Sequence, residues 1–446
     1  MIFKNIRKKL IYFLSIFVVL SIPIIIKLFY SFESLQLEKT TVLSVEKFNQ
    51  LNHIFIGFLL LSLFSFIALM IIIGLRYAKK SNHWWIISML ISIGCFIALN
   101  TLWYRIHTKH LLKYGEYNPI YAKQDINDFF NTYPDNGEKY IKIPTGLFID
   151  HMVFTRKDNE IYPGLILNGI VWQKYKKTIP KDIARGIIFP DAATLYIDKI
   201  YDHSTENYEI MGWRFTAHIF QRFDLSKYPF DFRHTKIRLT HQDFEKNVIL
   251  IPDFESIFTP TIFPGIENAL YIPHWHLKES FYGLKKENFN TNFGMKEFEY
   301  DAFPQLYYYL LSNRNVIGTA LTFFILFFSC MIILFITLLA FLKHQQLTTL
   351  LGFSTLSILG VCSGLLFVLI TSQMELRQAI GVGGTAYMEY LFGVTYLAII
   401  GVAANSIAFA IYDIKTLQYK DNLIIKLLYW PFILLAIIIV TAITFY

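Results

Sequence analysis

Seven apolar stretches, each long enough to cross a bilayer, bracket one polar block, and this arrangement limits the fold more than any other feature. A bilayer core is about 30 Å thick and a helix rises about 1.5 Å per residue, so a span needs roughly 20 mostly apolar residues. Stretches 10–30, 54–75, 84–103, 316–342, 350–372, 386–412 and 423–446 meet that length. Three precede the polar block and four follow it. The hydrophobic share of 54% is above that of ordinary soluble domains and supports the same class. The chain therefore divides into an N-terminal three-helix region (1–104), a polar region (105–315) and a C-terminal four-helix region (316–446).

The formal net charge of +8 invites a nucleic-acid reading, but the positions of the basic residues argue against it. Lys4, Arg7, Lys8 and Lys9 precede the first stretch; Arg76, Lys79 and Lys80 follow the second; Lys343, Lys415 and Lys420 lie in later short loops. Basic residues in short loops mark the cytoplasmic side. The N-terminus is expected in the cytoplasm, with 31–53, the polar region, 373–385 and the C-terminus on the other side. This is a multi-pass topology, expected in a bacterial inner membrane with the polar region periplasmic or extracellular. The first stretch carries Pro23 and no clear small-residue cleavage site, so it is read as a retained helix rather than a signal peptide. Cys95, Cys330 and Cys362 all fall inside apolar stretches, which leaves no disulfide framework or zinc site for the polar region.

Within the polar region, short alternating apolar runs are broken by Pro, Gly, Asn and Asp. Strands are expected at 146–154, 162–175, 208–222, 235–240, 247–251, 275–282, 293–300 and 305–312, after a short helix at 123–130. Repeated short strands without helical periodicity favour an antiparallel sandwich. Tyr228-Pro229-Phe230-Asp231 interrupts the pattern with a rigid turn: proline fixes φ, the phenylalanine can bury, and the aspartate can accept hydrogen bonds.

Five landmarks then occur in one order. Val171-Trp172-Gln173-Lys174-Tyr175 ends a strand; Ile188-Phe189-Pro190-Asp191 follows; Tyr228-Pro229-Phe230-Asp231 comes next; His274-Trp275-His276-Leu277 and the run 304–314, ending in Arg314, complete the set. Together with the four stretches behind them they resemble a prokaryotic-type pentameric ligand-gated ion channel, a relative of the Cys-loop receptors. The resemblance covers residues 139–446 and leaves the first three stretches unexplained. The loop cysteines of animal receptors would fall at Gln221 and Thr235, as in prokaryotic members that lack them.

The resemblance implies an immunoglobulin-like all-β sandwich on a four-helix transmembrane domain, assembled as a homopentamer in membrane lipid. It implies a small-molecule ligand between subunits and a permeant inorganic ion, with no cofactor, metal or catalytic role. Trp172 is carried over as a ligand-facing aromatic from one subunit, with Tyr282 and Phe289 from its neighbour. Trp172 serves equally as sandwich core, and Trp275 fits the core better. The coupling set is Tyr228, Pro229, Phe230, Asp231 and Arg314, in which a loop carboxylate can pair with a guanidinium at the strand-to-helix junction. Alternatively, Asp231 caps its own turn and Arg314 marks the interface. Ser354, Ser357, Val361, Leu365, Val368 and Ser372 share one helical face with Leu350 and are the expected pore lining; Glu375 and Arg377 stand at its end.

His274 and His276 alternate on one strand face without a third metal ligand, and Glu389 is a lone acid at the start of a span. Two departures weigh against conduction. The stretch 316–342 holds no proline, and neither does the loop near residue 380, where the family usually has them. A non-conducting receptor or accessory protein built on the same sandwich is the competing expectation.

Overall fold

Alternation of inward and outward side chains, clearest on the strand Gly164–Lys176, organises the described residues between 119 and 314. A computed structural model describes residues 82–109, 119–133, 137–155, 164–257, 263–267, 270–295, 302–340, 354–380, 385–412, 414, 417, 419 and 421–446. Ten strands are present among them: β1 Pro119–Ile120, β2 Ile141–Thr155, β3 Gly164–Lys176, β4 Ile187–Ile188 and β5 Ala192–Ser204. They continue with β6 Tyr208–Phe220, β7 Phe232–His241, β8 Val248–Pro252, β9 Trp275–Glu287 and β10 Phe303–Arg314. One five-stranded sheet runs β1-β9-β10-β7-β4 and the other β5-β6-β3-β2-β8. Neighbours pair antiparallel except β2 and β8, which are parallel.

On β3, Leu165, Leu167, Val171 and Tyr175 are buried, while the alternating Ile166, Asn168, Ile170, Trp172 and Lys174 are only partly covered. The inward set shares one core with Phe215 and Ile219 of its own sheet and with Ile237, Leu239, Tyr308 and Leu310 of the other. A two-residue period with one face buried fixes the register, because a one-residue slip would turn every apolar side chain outward.

Two strand expectations need correction. Strand β5 lies where none was expected. It is an edge strand with β6 as its neighbour, so its side chains are mostly exposed and the apolar alternation is weak. Residues 293–300 were expected to be extended, yet Phe293 and Gly294 form a turn with φ of 53° and 80°; the rest of that run lies outside the described residues.

Helices take over where the period changes. They are α1 Asn82–Lys109, the short α2 Lys123–Phe130, α3 Val316–Leu339, α4 Thr355–Ile380, α5 Tyr387–Ile411 and α6 Leu423–Phe445. All but α2 are long and apolar enough to cross a membrane, which makes this a multi-pass membrane protein. The stretches at 10–30 and 54–75 lie outside the described residues. Helix α4 continues past Ser372 to Ile380, so much of the expected loop 373–385 is helical. Residues 373–380 contain no glycine or proline to stop it.

Helix α1 buries one seam, Trp85, Ser88, Ser92, Phe96, Leu99, Trp103 and Ile106, at spacings of three or four. Phe96 and Trp103 meet Phe328 and Phe324 of α3, and the Ser88 hydroxyl donates to the Leu427 carbonyl of α6. Helix α4 buries Ile358, Cys362, Leu369 and Leu376, and packs chiefly on α5.

Candidate functional site

The connection between β6 and β7, residues 221–231, is where the sheets meet the helices. Its neck is closed by one side chain. The Gln221 amide donates to the His234 carbonyl (2.8 Å) and accepts from the Lys236 N–H (3.3 Å). Inside the loop, the N–H of Tyr228 reaches the Leu225 carbonyl and that of Phe230 the Lys227 carbonyl, giving two successive tight turns.

Asp231 leaves the loop inward, with its side chain 1% exposed. Its two carboxylate oxygens take the fork of Arg314, Nε at 2.5 Å and Nη2 at 2.8 Å. The main chains add a bond from the Arg314 N–H to the Asp231 carbonyl. The Arg314 guanidinium also lies over the Tyr228 and Trp275 rings, at 4.7 and 4.4 Å from their centroids. A planar bidentate pair walled by aromatics is desolvated and directional. Breaking such a pair by removing one partner costs about 3–5 kcal/mol, because a buried charge is left behind. Of the two expectations for Asp231, the pair with Arg314 is the one formed.

The loop also enters the helices. Tyr228 and Phe230 belong to the helical core rather than the sheet core. The Phe230 ring sits against Tyr387 at the start of α5 and Phe445 at the end of α6, with centroids 6.2 and 5.9 Å away. The Tyr387 N–H donates to the Ser226 carbonyl at 2.8 Å. This is an otherwise unsatisfied N–H of a helix's first turn, so the loop caps the helix it rests on. Glu389, read from sequence as a lone acid, is occupied too: it accepts from the Arg377 guanidinium of α4 and from the Ala386 N–H.

Trp172 lies on the outward face of β3, where its ring covers Gly146 of β2; a Cβ at Gly146 would occupy the same space. Its indole N–H donates to Asp253 (2.9 Å), which also binds the Lys174 ammonium (2.9 Å) and the Ser256 hydroxyl (2.6 Å). In the same row Tyr201 of β5, 40% exposed, covers Gly212 of β6. The sheet thus carries two aromatic rings, two strands apart and laid flat over glycines.

Tyr282 is placed differently from the expectation that it faces a ligand, while Phe289 is half-buried. Tyr282 is 1% exposed inside the core. Its hydroxyl accepts from the Leu147 N–H (2.9 Å), its ring meets Tyr308 at 5.0 Å, and burial raises its phenol well above the usual range. The reason is register: Tyr282 pairs with Tyr308 in the alternation of β9 and β10 that points inward. Phe289 follows β9 and packs on Phe293 and Phe303 (5.3 and 6.1 Å). Trp275 is buried at the membrane-facing edge, in contact with Phe154 and with the guanidinium groups of Arg233 and Arg314.

The expected pore-lining stripe divides. Ser354, Ser357, Val361 and Val368 are exposed, whereas Leu365 and Ser372 are half-buried against the bundle. The face opposite the packed seam of α4 carries Leu356, Phe367 and Met374, at 79%, 69% and 59% exposure. The most exposed apolar residues of α4 therefore lie on a different face from the expected stripe, which is itself mostly open.

Sequence reasoning missed Gln221, Tyr201, Asp253 and Tyr387. Asp253 reaches Trp172 across 81 positions of sequence and carries no local signature. Lys278 was missed as well; burial lowers its ammonium to about 7, near neutrality. Among the described residues, no three His, Cys, Asp or Glu side chains group closely enough to hold a metal ion. Comparison with protein-family models finds none that matches the chain, and comparison with curated proteins finds no match either.

Proposed function

We propose that this protein is a ligand-responsive membrane receptor of the pentameric ligand-gated channel type. Its β-sandwich acts on the helices through the 221–231 loop. The observation that carries the reading is the double anchorage of that loop. Asp231 is locked to Arg314, the last residue of β10 and two positions before α3, while Phe230 and Ser226 are locked to α5 and α6. A rotation of the sheets cannot leave the helices undisturbed, because the linking groups are buried and hydrogen-bonded on both sides.

Ligand binding is assigned to the outward face of the β5-β6-β3-β2-β8 sheet around Trp172. A neighbouring copy closes the site in a periplasmic or extracellular setting. Five copies around α4 form the ion path. Helix α4 supports that assembly: 17% of its span is buried, the smallest share among the five spans, compared with 50% for α3. A second reading, a non-conducting receptor on the same plan, is favoured by Leu356 and Phe367, which make the open face of α4 apolar.

Native mass measurement in mild detergent tests the assembly. Five copies support the reading, and a monomer or dimer rules out the pore. For the pentamer, planar-bilayer recording of Phe367→Ser separates the two readings. A raised resting current is expected for a channel, and no current in wild type or variant for a silent receptor.

A further inference from the structure

Four helices suffice for the plan above, yet α1 is packed into it along its whole length. Near its sheet-proximal end, the Trp103 indole N–H donates to the Tyr387 hydroxyl at 2.9 Å. Indole is a donor without acceptor capacity, so the Tyr387 oxygen accepts here and its own proton turns to Thr441 Oγ1 of α6, 2.8 Å away. Thr441 in turn donates to the Ile437 carbonyl at 2.7 Å. Every proton in this relay has one direction, and Trp103 sets it. Tyr387 is fully buried, and it is the residue that the coupling loop touches twice, through Phe230 and through Ser226.

We propose that Trp103 is a positioning residue of the joint: α1 holds Tyr387 in the one orientation on which the 221–231 loop docks, so the N-terminal region has a direct hold on coupling. The inference rests on the reading of that loop as a coupling element, but not on ligand, pore or pentamer. A hydrogen-bond relay in a dry site is cooperative, so loss of its first donor frees the tyrosine hydroxyl to turn and loosens the ring beneath Phe230. Helix α1 then acts as a control element rather than an anchor. Whatever moves α1 along α6 changes how firmly the loop is seated.

Hydrogen exchange of the loop amides 224–231, in the full chain in lipid nanodiscs, is the test. Trp103→Phe keeps an aromatic ring and removes the donor; Tyr387→Phe removes the acceptor. Each is expected to speed loop exchange about fivefold, the effect of one net hydrogen bond, and the double variant no more than either alone. Ser88→Ala, which removes a bond from the distant end of the same helix, is expected to leave the loop unchanged. Faster loop exchange with Tyr387→Phe but not with Trp103→Phe overturns the proposal, as does equal loosening by Ser88→Ala.

If Trp103→Phe fails to fold, the Trp103 indole N–H resonance is read in Asp231→Asn instead. Linkage requires a shift there, and an unmoved resonance beside faster loop exchange overturns the proposal. If Asp231→Asn changes neither loop nor helices, the coupling reading itself fails, while the Trp103→Phe result still reports on the relay.

Discussion

The joint at Asp231 and the face of α4 lie at opposite extremes of completeness. At the joint the principal polar groups find partners within one chain. The carboxylate meets the guanidinium fork, the Tyr387 N–H meets a loop carbonyl, and Glu389 meets both Arg377 and the Ala386 N–H. Helix α4 has one packed seam and two open flanks. A site finished within the chain can transmit force as a unit. A helix left open on most sides requires lipid or further copies to cover it. The contacts between sheets and helices are thus complete within one chain, while α4 is the least covered of the five described spans.

The largest expected effect breaks the first half of that contrast. Asp231→Asn keeps the size of the side chain but leaves Arg314 without its counter-charge, and should cost about 3–5 kcal/mol of stability. Thermal or denaturant unfolding in detergent measures it. A loss below about 1 kcal/mol would place the pair among ordinary surface bridges.

The second sharpens the comparison from the seam between the sheets. The Asp243 N–H donates to His241 Nδ1 (3.0 Å), so the ring proton sits on Nε2 and faces the Tyr175 hydroxyl (3.2 Å), which itself donates to Gln173 (2.6 Å). A second proton would have no place on the imidazole, and burial lowers its pKa to about 4. The unfolded chain protonates near 6.5. Stability from this group is therefore complete above about pH 6.5, falls as pH drops toward 4, and levels off below; the full loss is about 3 kcal/mol. His241→Gln should flatten that part of the pH–stability curve, and an unchanged slope would show that other groups carry it.

The smallest effect concerns the Gln221 clasp. Gln221→Ala removes two hydrogen bonds at the neck of the loop and should cost about 1–2 kcal/mol. Unfolding measurements check the magnitude, and faster exchange at 234–236 would locate it. Gln221→Glu should be intermediate, since it keeps the acceptor for Lys236 and loses the donor to His234.

How much of this was readable beforehand depended on the range of the signal. The apolar lengths of α1, α3, α5 and α6, the alternation of β2, β3 and β6 and the aromatic run of β10 follow from local patterns, and so does the turn at Pro229. The Asp231–Arg314 pair spans 83 positions and was reached through the order of landmarks rather than chemistry at either end. Tyr282 was misread because an aromatic in a strand looks the same facing in or out until its partner strand fixes the register. Edge strand β5 had no buried face to write into its sequence. The α4 stripe was chosen from hydroxyl spacing, whereas the packed seam is set by Ile358, Cys362, Leu369 and Leu376 meeting α5, a tertiary fact. Trp103 and Tyr387 were ordinary aromatics in apolar runs until the fold brought them together.

Under the proposed function, the sheets and helices move as one through the Asp231–Arg314 joint. Hydrogen exchange of wild type and Asp231→Asn, read at 376–380, at 385–390 and across β10, addresses it directly. Coupling requires faster exchange on both sides of the joint, at the sheet-proximal ends of α4 and α5 as well as at the end of β10. A change confined to the 221–231 loop, with those helix ends as protected as in wild type, would contradict it.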